Sequence, residues 1–178
     1  SYGDLDPANK TTGGMGGKII SNTDKSFPPN VSQGCNKKLI LLKQGKGFFH
    51  IGAAGHEAAQ LAAAHCFKPG FDYAFPYYRN QAFCLGWGMT SKEHLLSFLA
   101  KEDDPSSGGR QMPQHFGHKE LKIVSQSSST GTQYLQSVGV AFGMKRNGEK
   151  AVVYVSSGEG TTSQGDFHEA LNWASREK

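Results

Sequence analysis

The sequence is poor in cysteine. Its three cysteines, Cys35, Cys66 and Cys84, are odd in number and none lies in a CxxC pair. That argues against a disulfide framework and a structural zinc module, and fits an intracellular, reducing compartment such as a bacterial cytoplasm or an organellar matrix. Cys66 and Cys84 have apolar neighbours and are expected as small core residues. Long apolar runs are missing too: none approaches the roughly 18 residues of a membrane span, so no integral membrane role is expected. The opening SYGDLDPANK has neither the basic start nor the apolar stretch of a secretory signal. Charge is thin, with a formal net of +4 and KLILLKQGK the densest basic stretch. Such scattered charge gives no nucleic-acid stripe and reads as a solvated, weakly basic surface.

What is present is enough for one folded unit. A chain of 178 residues with 37% hydrophobic content buries one real core, not two. Residues 1–37 are a different material, rich in Gly, Ser, Thr, Asn and Pro, and read as a flexible N-terminal arm; residues 38–178 read as the structured domain. Within it, GHEAAQLAAAHCF has helical spacing and starts near Gly55, and Ser91 is placed to cap SKEHLLSFLAK. FDYAF, LKIVS and AVVYVSS read as strands. The segment EDDPSSGGRQMPQHFGHKE is a long polar loop of the functional or mobile kind. SSSTGTQYLQSVGVAFGMK is a turn leading into a helix with small residues on one face. Strands alternating with helices predict an α/β fold around a parallel sheet.

The stretch SSGEGTTSQGDFHEALNW then sets a chemical problem. It reads as a strand end, a glycine turn and an amphipathic helix with Phe167, Ala170, Leu171 and Ala174 on one stripe. Ser163 and Asp166 have capping-box spacing. Glycine turns between strand and helix at the carboxyl edge of a parallel sheet are where such folds bind phosphates. Two common motifs fail here. A P-loop needs lysine where Asp166 stands, and a GxGxxG fingerprint needs glycine where Ser163 stands. What remains is a carboxylate, Glu159, between Gly158 and Gly160. A magnesium ion held by Glu159 would reconcile that negative charge with a bound diphosphate; the ordinary alternative is a solvent-exposed loop glutamate. His56 and Glu57 do not form HExxH, because residue 60 is Gln, so they are expected to pack and cap at a helix start.

The turn and helix GEGTTSQGDFHEALNWA resemble the cofactor signature of thiamin-diphosphate enzymes, in the form found in the alpha subunit, or alpha part, of the decarboxylating component of 2-oxo acid dehydrogenases. GAAGHEAAQLAAA, FPYYRNQAFCLGWG, GGRQMPQHFG and QYLQSVGVAFGMK are similar to the same family, in its order and at roughly its spacing, so the resemblance covers residues 39–178. The branched-chain type is the nearest in character; pyruvate and acetoin dehydrogenase alpha subunits are the alternatives, and a non-catalytic assembly module is the alternative of another class.

The resemblance implies a parallel-sheet thiamin-diphosphate-binding fold, incomplete at the C-terminus, with thiamin diphosphate and magnesium as cofactors. Tyr78 and Arg79 match the pair that meets the diphosphate, where a planar guanidinium suits phosphate oxygens. Ser128, Ser129 and Thr130 match a loop that meets the aminopyrimidine ring, although SSSTGT stands where relatives often have Ser-Pro-Leu or Ser-Pro-Ile. Gly158, Glu159, Gly160 and Thr161 match the diphosphate and metal turn, with Glu159 as the metal ligand in place of the more usual aspartate. Phe49 and Met112 fall at the substrate pocket. His115 matches a loop histidine near the reacting centre, suited to acid–base or oxyanion work. The family's closing asparagine is expected past Lys178; Asn172 is too early and lies in the helix. The implied partners are a beta subunit or module that completes the site, a lipoyl-bearing acyltransferase and a 2-oxo acid substrate, within an oligomer.

Overall fold

A computed structural model describes residues 38–177; the proposed arm over residues 1–37, and Cys35 with it, lies outside the described residues. After a helical segment over residues 38–43 come helix α1 (Glu57–His65), strand β1 (Tyr73–Phe75), and helices α2 (Gln81–Trp87) and α3 (Ser91–Phe98). Then follow a long looped segment, helix α4 (Thr132–Arg146), strand β2 (Val153–Val155), a 3-10 turn (Glu159–Ser163) and helix α5 (Gly165–Glu177). The strands pair in parallel, Tyr73 with Val153, Ala74 with Tyr154 and Phe75 with Val155. The parallel α/β arrangement expected from the alternation of elements is therefore present.

The expected third strand is not a strand. LKIVS contributes one parallel bridge, Ile123 with Ala74, and Ile123 also pairs antiparallel with His118. Lys122 adopts φ 53°, a left-handed backbone that bends the chain where a strand would run straight.

The core is aromatic. Phe83 and Trp87 on α2, Phe116, Ala74 and Ile123 are sealed from solvent. The rings of Phe83 and Tyr154 stack at 4.3 Å, and the Trp87 indole N–H donates to the carbonyl of Leu121 at 2.8 Å, which satisfies the polar handle that a buried indole brings inside. Helices α1 and α2 touch because residue 86 is glycine: a Cβ there would lie 2.9 Å from the Ala64 Cβ. Cys84 belongs to this core, as expected, but Cys66 is exposed. It falls just past the last turn of α1, where its Sγ donates to the Ala62 carbonyl at 3.3 Å.

Two helix starts differ from expectation. Helix α3 is capped by Thr90, not Ser91: the Glu93 backbone N–H donates to Thr90 Oγ1, and the Thr90 backbone N–H donates to Glu93 Oε2 at 2.6 Å. The reciprocal box needs a carboxylate three residues on, and only Thr90 has one. Ser163 lies in the 3-10 turn and α5 begins at Gly165, so the Ser163–Asp166 spacing does not mark a cap. Of the expected α5 stripe, Ala170 is buried, while Leu171 and Ala174 are exposed. The packed face runs instead through Phe167 against Tyr134 and Trp173 against Phe142.

Candidate functional site

The parallel pairing sends the ends of β1 and β2 out on the same side, and two expected site segments leave from them. Past Phe75 the chain runs Pro76-Tyr77-Tyr78-Arg79-Asn80; past Val155 it runs Ser156-Ser157-Gly158-Glu159. The Ser156 N–H donates to the Phe75 carbonyl at 3.2 Å, so the strands are still in contact as they diverge. Asn80, almost wholly buried, ties the segments together by donating from Nδ2 to Ser156 Oγ at 2.6 Å. Gln60 of α1 holds the YYRN turn from below, donating to the Arg79 carbonyl and accepting from the N–H groups of Ala82 and Phe83.

Arg79 is half-buried. Its Nη1 donates to the Gly52 carbonyl at 2.5 Å and the guanidinium stands 5.5 Å over the Tyr78 ring. The rest of its donor fork has no hydrogen-bond partner among the described residues. Burial pushes the neighbouring Tyr77 phenol above its ordinary range; Arg79 pulls it back, and Tyr78 and Glu159 push it further up. The Tyr77 ring is also the nearest neighbour of Gly158, on which a Cβ would lie 3.9 Å from it.

Glu159 is exposed, at the first residue of the 3-10 turn. The turn is set by backbone and hydroxyls: Thr162 Oγ1 donates to the Glu159 carbonyl at 2.7 Å and Thr161 is buried. The Glu159 carboxylate has no hydrogen bond or ion pair among the described residues. A Cβ on Gly160 would meet nothing within 4 Å, and one on Gly158 would make only ordinary contact with the Tyr77 ring. The protein itself therefore makes no steric demand for glycine on either side of the glutamate.

The Ser128–Thr130 segment reaches the same turn through Gly131. This residue adopts φ 100°, and a Cβ on it would lie 3.2 Å from Cβ of Gln164 and 3.5 Å from Cγ2 of Thr161. Helix α4 begins there and clamps the end of β2. Gln133 Nε2 donates to the Ser156 carbonyl at 3.2 Å, and the Tyr134 and Ser157 hydroxyls share a hydrogen bond at 2.5 Å.

His115 approaches from the long loop. It is buried, with Nε2 2.8 Å from Ser128 Oγ and Nδ1 3.3 Å from the Pro113 carbonyl. Beside it Gln114, also buried, donates to the Ile51 carbonyl and accepts from the Ile51 N–H. Those two bonds hold the segment containing Phe49 against the loop containing Met112. Phe49 is half-buried, and Met112 is 53% exposed. The structure thus joins Ser128 to His115, and joins Tyr78–Arg79 to the Gly158–Thr161 turn through Asn80 and Tyr77. Phe49 and Met112 connect only through the Gln114–Ile51 pairing.

Sequence reasoning missed Gln60, Tyr77, Asn80, Gln114 and Tyr134. Asn80 directly follows the YYR motif, and Gln60 is a polar residue on the apolar side of a helix; both were visible as anomalies. Gln114 was not, because its partner lies 63 residues away. Among the described residues no group of three or more His, Cys, Asp or Glu side chains is placed to hold a metal.

These positions define an α/β protein whose candidate ligand site opens where parallel strands end, the usual place for phosphate-bearing ligands in such folds. Residues 35–178 match the family model for the dehydrogenase E1 component, and the chain belongs to that family. It is 44% identical over 139 residues to the 2-oxoisovalerate dehydrogenase subunit alpha of Bacillus subtilis, a match covering 78% of this chain and 42% of that protein. With the mitochondrial 2-oxoisovalerate dehydrogenase subunit alpha 2 of Arabidopsis thaliana the identity is 36%, over 74% of this chain and 28% of the relative. With the pyruvate dehydrogenase E1 component subunit alpha of Staphylococcus epidermidis it is 33%, over 80% of this chain and 35% of the relative. The chain spans less than half the length of these relatives.

Proposed function

We propose that this chain forms the diphosphate side of a thiamin-diphosphate and magnesium site, in an enzyme that oxidatively decarboxylates a 2-oxo acid and passes the acyl group to a lipoyl carrier. The observation that carries this reading is the gathering of Arg79, the Ser128–Thr130 loop and the Gly158–Glu159–Gly160 turn at one end of the parallel strands. Three features fit the cofactor. Arg79 has donors to spare, Glu159 offers a hard oxygen that no described side chain has taken, and the glycines beside it leave room for a ligand to approach the backbone. Glu159 supplies one of the oxygens magnesium needs; diphosphate oxygens, water and residues outside the described set would supply the rest.

In this reading Tyr78 and Arg79 bind the diphosphate, Glu159 holds the cation, and Gly158, Gly160 and Thr161 shape the turn that receives both. Ser128 and Thr130 face the aminopyrimidine side, and Phe49 and Met112 border the substrate pocket. When bound, thiamin diphosphate supplies the electron sink for loss of carbon dioxide; the protein's share is to orient it and to keep water out. A beta subunit or module would complete the site, and a lipoyl-bearing acyltransferase would take the product, within an oligomer housed in a bacterial cytoplasm or an organellar matrix. Among the described residues no helix is long and apolar enough to cross a membrane.

The test is calorimetric titration of the chain, with its beta partner, using thiamin diphosphate and magnesium, followed by turnover of 2-oxoisovalerate against pyruvate. We expect cofactor binding that needs magnesium, and faster turnover of the branched acid. Absence of binding with the partner present would overturn the enzymatic reading and favour a non-catalytic assembly module. A preference for pyruvate would overturn only the substrate.

A further inference from the structure

We infer that His115 is a positioning residue, which fixes the hydroxyl of Ser128 as a hydrogen-bond acceptor toward the bound cofactor. This rests on the proposed function and assigns one residue of that site a different role from the acid–base or oxyanion work its family match implies. The argument starts from what each ring nitrogen faces. Nδ1 lies 3.3 Å from the Pro113 carbonyl. A carbonyl oxygen only accepts, so that contact is favourable when Nδ1 carries the proton. In the neutral ring Nε2 is then the acceptor, and its neighbour at 2.8 Å, Ser128 Oγ, must donate to it. The serine proton is committed inward, and both lone pairs of its oxygen remain for whatever lies on the outer side. Ser128 itself is exposed.

The ring's surroundings hold it in this arrangement. His115 is 5% exposed and Gln114 is 2% exposed, the latter pinned to Ile51 through both ends of its amide. On the other side the His115 N–H donates to the Met112 carbonyl, and the Gln126 N–H donates to the Phe116 carbonyl at 3.0 Å. Thus the buried segment over residues 113–117 meets the exposed stretch at Ser128 through the His115 imidazole. That stretch leads to Gly131, which abuts Thr161 and Gln164. Buried and engaged through both nitrogens, the ring can act on the site only through the Ser128 hydroxyl. It is well placed to set the direction of a hydroxyl.

The test uses the full chain assembled with its beta partner and three changes: His115→Leu, Ser128→Ala and the pair together. His115→Gln serves as the conservative control, since its amide oxygen falls near the place of Nε2. Binding of thiamin diphosphate with magnesium is read by calorimetry. We expect His115→Leu and Ser128→Ala each to weaken binding about tenfold, the pair to be no worse than either alone, and His115→Gln to recover most of the affinity. Long-range nitrogen–proton NMR of the wild-type imidazole should report a proton on Nδ1, with the Nε2 resonance moving in Ser128→Ala. Additive losses, an Nε2 resonance blind to Ser128, or normal cofactor binding by His115→Leu with turnover abolished would each overturn the inference. Failure of the wild type itself to bind the cofactor would instead sink the proposed function, and this inference with it.

Discussion

The long loop over residues 101–118 and the short turn over residues 156–163 invert what their compositions suggest. The loop is rich in Ser, Gly, Asp and His, yet its buried Asp104, Gln114 and His115 are already hydrogen-bonded within the protein. Asp104, 5% exposed, accepts from the N–H groups of Ser106, Ser107 and Gly109 and from the Ser107 hydroxyl. Gln114 and His115 are equally committed. The turn after β2 also holds polar residues, but its carboxylate is exposed and unpaired among the described residues, and Gly160 faces open space. Polarity on its own does not separate structure from function; whether the hydrogen-bonding capacity is already used does.

The largest effect should come from breaking the loop. Asp104→Ala strands several half-buried donors at once, and we expect a loss of about 3 kcal/mol in chemical denaturation. A smaller loss than Thr90→Ala causes would show that the loop does not depend on these bonds. Next, Glu159→Gln and Gly160→Ala should leave the denaturation midpoint within error, while weakening magnesium-dependent thiamin diphosphate binding at least tenfold, about 1.4 kcal/mol. An equal loss of folding stability would mean that the turn is as structurally committed as the loop.

The third prediction concerns His94, which packs 5.3 Å from Phe116 beneath the loop. Burial, reinforced by the nearby Lys38 charge, lowers its pKa from 6.5 to about 3. The native ring stays neutral while the unfolded ring takes a proton below about pH 6.5. The group's contribution is therefore present above that pH and lost as pH falls toward 3, with a slope approaching about 1.4 kcal/mol per pH unit. His94→Phe should flatten the acid limb of the stability curve; an unchanged limb would refute the assignment. The smallest effect is the helix cap, where Thr90→Ala should cost about 1 kcal/mol by the same denaturation measurement.

The α/β class with parallel strands, the strand character of FDYAF and AVVYVSS and the glycine turn of the candidate site were legible because they are local patterns. The YYR segment was legible only through its resemblance to the family. Two helix starts were misread because a hydroxyl alone is ambiguous. Thr90 and Ser91 are adjacent, and only the carboxylate at Glu93 distinguishes them. LKIVS looked like a strand because its side chains suit one, and the left-handed Lys122 that bends it has no sequence signature. The His115–Ser128 and Gln114–Ile51 pairs were illegible for a different reason: each joins segments that only the folded loop brings together.

Asn80 gives the sheet a means of gauging its own register. If β2 slid along β1 by one residue, about 3.3 Å, Ser156 would leave the reach of the 2.6 Å bond from Asn80. The buried amide would lose that partner, and the arginine and glutamate segments would part company in the same step. Correct strand pairing and a correctly assembled candidate site are thus linked through one asparagine.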